Sequence, residues 1–175
     1  MIEVTVQSLG LDQATKTPVV ILREVEGERV LPIWIGPAEA SAIAMELAGM
    51  KFARPLTHDL AATLIRGLGG VLQRVTISRV QDNTYFAELM IARDDEVFAV
   101  DARPSDSIAI ALRLRARLFT SEGLLTDTTI ETAESDDEDE PASGAAPAEP
   151  KPLTPDELQA YLRKLGPEDL GRFNP

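Results

Sequence analysis

VLQRVTISRVQDNTYFAELMIARDDEVFAVDARPSDSIAIALRLRAR, Val71 to Arg117, decides the fold. Up to Ala102 it reads as three strands. β-branched and aromatic residues recur, and Asp82-Asn83 and Asp94-Asp95 supply the turns between them. PSDSIAIALRLRAR then changes period and reads as a helix, with Pro104 able to be its first residue. LFTSEGLL closes the core.

Outward from this block the pattern repeats in another order. MIEVTVQSLGLD alternates, with Ile2, Val4 and Val6 on one side. TPVVILREV is a near-continuous β-branched run. After the turn at Glu26-Gly27 comes ERVLPIWIG, so the two form a hairpin. GPAEASAIAMELAGM turns helical, with Ala38, Ala42, Met45 and Ala48 or Gly49 free for close packing. THDLAATLIRGLGG is a second helix: Leu60, Leu64 and Leu68 recur at helical spacing and Gly69-Gly70 stops it. Runs of strands broken by helices predict an α+β fold with a mixed or largely antiparallel sheet and about three packed helices.

The 175 residues are 44% hydrophobic and carry a net charge of −12. The charge is unevenly spread. Residues 1–126 hold 13 basic and 16 acidic side chains, and residues 127–175 hold 4 and 13. A nearly neutral core domain over 1–126 is therefore expected. ESDDEDEPASGAAPAEPKP follows, without aromatics or β-branched residues, and residues 127–152 read as a disordered acidic linker. In LTPDELQAYLRKLG, Thr154 can cap, Pro155 can open a helix, and Leu158, Tyr161, Leu162 and Leu165 form one stripe. Residues 153–175 are thus a short amphipathic helix and tail, docking on the core or on a protein partner.

There is no cysteine, which excludes disulfides and thiolate chemistry. No apolar run is long enough for a membrane span, and the first residues do not read as a signal peptide. A soluble cytoplasmic protein without a membrane partner is expected. Phosphate-loop, dinucleotide and nucleophile-elbow patterns are absent, so no organic cofactor is expected.

What remains for chemistry lies in two similar stretches. RPLTHD, Arg54 to Asp59, holds the single histidine, and DARPSD, Asp101 to Asp106, echoes it. Each has Arg-Pro, a hydroxyl residue and an aspartate ahead of a helix. Helix capping accounts for much of this. Thr57 can cap, and Asp59 and Asp106 sit in first turns where the dipole favours them. Capping does not account for Asp101, His58 or the arginines. Asp101 and Asp106 could present two carboxylates to Mg²⁺ or Mn²⁺, with Glu39 as a further ligand. Histidine is the side chain that ordinarily exchanges protons near pH 7. Arginine grips phosphate through two parallel bonds. Carboxylates, histidine and arginine together make a phosphodiester-cleaving set. Arg113 and Arg117 share a helical face in this reading and, as a solvated last helix turn favoured by the dipole, need no ligand.

GPAEASAIAMELAG, RPLTHDL and VDARPSDSIAIALRLRARLF, in that order, resemble the bifunctional nuclease family, over about Met1 to Leu125. The resemblance implies an α+β domain, often oligomeric, acting on DNA and RNA. It implies no settled catalytic assignment, so roles follow from chemistry. His58, Asp59, Asp101 and Asp106 are the catalytic candidates. Arg54, Arg103 and Ser105 are the substrate-binding candidates. Asp101, Asp106 and Glu39 are the metal candidates. The competing reading is a non-catalytic binding or regulatory module, in which the same two stretches build a ligand pocket or a dimer seam.

Overall fold

The computed structural model describes residues 1–12, 15–82 and 84–127, together with the backbone of 151–152. The expected acidic linker beyond Asp127 and the amphipathic helix from Leu153 lie outside the described residues.

Among the described residues, eight strands and three α-helices follow in chain order. β1 (Ile2–Leu11), β2 (Pro18–Glu24) and β3 (Val30–Trp34) precede α1 (Pro37–Leu47) and α2 (Thr57–Gly67). β4 (Val71–Gln81), β5 (Thr84–Arg93) and β6 (Glu96–Ala102) lead into α3 (Pro104–Leu114) and β7 (Arg117–Thr120). The two-residue β8 (Lys151–Pro152) pairs with β1. The main order is β3-β2-β1-β7-β4-β5-β6. Among the described residues only the β4–β7 pair is parallel. The sheet is therefore mixed and the fold α+β, as the element order predicts.

The two hairpin blocks do not touch directly. β7 lies between β1 and β4 and joins them. Val4, Leu118, Val75 and Leu89 stand side by side across four strands, all buried. Directly opposed residues share a face. This row is thus one continuous apolar seam beneath α3. The buried positions on α3 include Ser105, Ser107, Ala109 and Ala111, small residues that let the helix backbone approach the sheet.

The two remaining helices differ from expectation in which face they bury. α1 turns Ala40, Ile43 and Ala44 to the core. Ala38, Ala42 and Met45, expected to pack closely, instead line a cleft. α2 buries only Ala62, and Leu60, Leu64 and Leu68 are exposed. Helical spacing reveals a stripe, but which way it faces depends on where the helix is docked.

Several local expectations hold for stated reasons. Pro104 opens α3. Asp82 and Asp94 take positive φ in the turns between β4, β5 and β6, a conformation aspartate tolerates. Gly69, at φ 78°, ends the turn after α2, where any side chain would be strained. α3 stops at Leu114 because Arg115 is left-handed. Arg117 therefore belongs to β7, and Arg113 and Arg117 share no helical face. No helix among the described residues is long and apolar enough to cross a membrane.

Candidate active site

The first turns of α2 and α3 meet. His58 is the second residue of α2, and Asp106 is the third of α3. The imidazole Nε2 lies 2.9 Å from Asp106 Oδ1. Arg103, just before α3, donates from Nε to Asp106 Oδ2 at 2.7 Å. Its Nη2 also lies 2.9 Å from Glu39 Oε1 on α1. One connected group thus runs Glu39–Arg103–Asp106–His58 and ties three helices together.

Burial pushes the Asp106 carboxyl upward, but hydrogen bonds from Arg103 and His58, with their charges, outweigh it and hold it below its usual range. Asp106 in turn raises Arg103, its hydrogen bond opposing the desolvation that would lower it. An ionised Asp106 can only accept, so the imidazole proton sits on Nε2. The lone pair is then on Nδ1.

This group borders a cleft of about 440 Å³ between α1 and the starts of α2 and α3. Its apolar wall is Ala38, Ala42, Met45 and Leu56, and its polar rim is Glu39, His58, Arg103 and Asp106. An apolar wall lowers the local dielectric and strengthens every charge interaction at the rim.

The other expected residues are placed differently. Asp59 is not beside Asp106. It accepts from Arg113 Nε and, at 2.8 Å, from the Leu56 amide. The hydrogen bond from Arg113 comes first in depressing its carboxyl below the usual range, and the Leu56 amide adds to it. Thr57 is inside the helix and exposed, so the loose amide is satisfied by Asp59, not by a threonine cap. Arg113 was expected to be a solvated end-of-helix charge. Its side chain is only 6% exposed, and it also donates to the carbonyls of Ala42 and Ala109. The α2–α3 pairing is built on this guanidinium, and nothing in the sequence marked it apart from neighbouring arginines.

Asp101 does not join the group. It stands opposite Glu88, while its neighbour Ala102 stands opposite the buried Ala87. Successive residues of a strand face opposite sides. Asp101 therefore points away from the face covered by α3 and does not line the cleft. Asp106 and Glu39 do line it, but Arg103 already takes up their charge. Among the described residues no group of three or more His, Cys, Asp or Glu is placed to hold an ion. The set Asp101, Asp106 and Glu39 does not fit a divalent metal. Arg54 is exposed in the segment before α2. Ser105 is buried on the far side of Arg103, in a second cavity.

The bifunctional nuclease domain family matches residues 20–133. An uncharacterized protein of Mycobacterium tuberculosis is 43% identical over 137 residues, covering 78% of this chain and 82% of that one. Bifunctional nuclease 2 of Oryza sativa subsp. japonica is 25% identical over 132 residues, 73% of this chain and 41% of the rice protein. Bifunctional nuclease 1 of Arabidopsis thaliana is 24% identical over 102 residues, 56% of this chain and 31% of its own length.

Proposed function

Because the chain belongs to the bifunctional nuclease domain family, we propose that it hydrolyses phosphodiester bonds in DNA and RNA with little sequence selectivity, using His58 and Asp106. The observation that carries this is the 2.9 Å contact between His58 Nε2 and Asp106 Oδ1 at the rim of the cleft.

The chemistry follows from the group. Asp106 orients the ring and stabilises the imidazolium that forms. His58 Nδ1 takes a proton from the attacking water as the water oxygen bonds to phosphorus. The ester P–O bond breaks, and the proton is returned to the departing oxygen. Arg103 offsets the charge that builds on the phosphoryl oxygens, with Glu39 and Asp106 holding its plane. Arg54 adds an exposed phosphate contact. Asp59 acts through Arg113 and is a positioning residue. No step is routed through a metal ion, because the carboxylates here are held by arginine.

We further propose that copies associate through the outer edge of the sheet. Val97, Phe98 and Val100 on β6 and Leu60, Leu64 and Leu68 on α2 are all exposed. β6 is the outer strand of the sheet among the described residues, and exposed large apolar side chains on such an edge favour self-association. The binding-module reading keeps one observation in its favour: Arg103 is already neutralised by two carboxylates.

The test is cleavage of single- and double-stranded DNA and RNA by purified protein, with Mg²⁺, Mn²⁺ or chelator. His58→Ala should lower the rate about a hundredfold or more, with the urea midpoint held. Equal cleavage by wild type and variant would place the chemistry elsewhere. No cleavage by either would favour the binding module.

A further inference from the structure

The second cavity, of about 250 Å³, shares Glu39 and Arg103 with the first. These two side chains form the partition. On the far side the walls include Trp34, Tyr85, Thr84 and Ser105. Anything whose phosphate reaches Arg103 from the His58 side therefore has a neighbouring chamber within one residue's reach.

That chamber has the chemistry of a nucleobase site. Two aromatic rings stand in its walls, and every base presents a π-face that stacks on such rings. The Trp34 indole is held by its edge: Nε1 donates to Asp12 Oδ2 at 3.1 Å. Its residue is still 48% exposed. Ser105 and Tyr85 also line the chamber, and neither hydroxyl is a buried group without a partner, so both stay accessible from the cavity. Both border one cavity, where they can meet the polar edge of a ligand.

We propose that this cavity is a nucleobase subsite, holding the base of a nucleotide whose phosphate lies at Arg103. The choice of nucleotide over another phosphate ester rests on the nuclease reading above. Hydroxyl groups both donate and accept, so Tyr85, Ser105 and Thr84 adapt to the edge of any base. Low sequence selectivity follows from that.

Trp34 is the chain's single tryptophan and a built-in reporter. The experiment is tryptophan fluorescence of the full chain, titrated with the four nucleoside 5′-monophosphates, with ribose 5-phosphate and inorganic phosphate alongside. A mononucleotide has no internucleotide bond to cut, so the reading is independent of cleavage. Saturable quenching by all four nucleotides, with at least tenfold weaker response to the two phosphate controls, is the expected result. Tyr85→Phe keeps the ring and its packing and should weaken binding two- to fivefold. Ser105→Ala should do the same. Quenching by inorganic phosphate equal to that by nucleotides overturns the proposal, as does unchanged affinity in both variants. Quenching without any cleavage would keep the subsite and sink the nuclease reading. Cleavage without quenching would sink the subsite alone.

Discussion

The two Arg-Pro stretches look alike in sequence and do different work. In RPSD the aspartate follows the arginine by three residues, so Arg103 and Asp106 pair across one turn of α3. In RPLTHD Asp59 follows Arg54 by five residues. No local pair forms, and Asp59 reaches across to Arg113 on another helix. Pro104 is inside its helix, whereas Pro55 stands two residues before Thr57, where α2 begins. One stretch supplies charge to the cleft. The other fastens α2 to α3 and carries His58 to the meeting point. A difference of two residues in spacing separates a reactive group from a structural bolt.

The comparison breaks most visibly at Asp59. Asp59→Ala leaves the nearly buried Arg113 without its carboxylate and the Leu56 amide without its acceptor. The expected loss is about 3 kcal/mol, the low end for removing one partner of a buried ion pair, read as a lower urea midpoint at constant slope. A loss below about 1 kcal/mol would mean that Glu46 and the carbonyls of Ala42 and Ala109 suffice for Arg113.

Asp106→Asn tests the other half. The amide keeps the shape but cannot hold Nε2 protonated as a carboxylate does. Cleavage should fall about a hundredfold, near 2.7 kcal/mol in the barrier, with a smaller change in stability than Asp59→Ala. If the two variants showed the same balance of lost activity and lost stability, the division of labour would be gone.

Acid should expose both aspartates together. Each carboxyl is held below its usual range in the folded chain. Each therefore contributes stability above the unfolded-state pKa, lost as pH falls through the folded one. The melting temperature should hold from neutrality to about pH 4 and then drop. In Arg113→Met the Asp59 share of that drop should shrink, which thermal melts across pH 2–5 would show.

The smallest effect belongs to Arg54. Arg54→Ala should leave stability within about 0.5 kcal/mol and weaken single-strand binding at low salt. The slope of log affinity against log salt should shrink by about 0.7. An unchanged slope would remove Arg54 from the phosphate contacts.

Much of this molecule was legible before any coordinates. The strands of 71–102, the N-terminal hairpin, the three helices and the proline start of α3 all follow from side-chain period and turn chemistry, which act over a few residues. The residues of the site were legible only as types. His58, Asp106, Arg103 and Glu39 stood out as chemistry-bearing, and they do meet. Asp101 stood out equally and does not, because one step along β6 turns its side chain to the other face of the sheet. Arg113 was taken for a solvated charge because helical spacing alone does not say what lies against a helix end.

By itself the sequence determined most of the elements and the short list of chemistry-bearing groups, since propensity, turns and local charge are properties of neighbouring residues. It ran the last helix on to Arg117, where the fold has β7. Tertiary structure alone decided which groups touch. β7 inserts between β1 and β4 and so joins the two halves of the sheet. α2 docks through a buried Arg113, and that docking brings His58 within 2.9 Å of an aspartate 48 residues away. Contacts over that separation depend on how whole elements pack, and packing is settled by the complete apolar surface of the chain rather than by any one stretch of it.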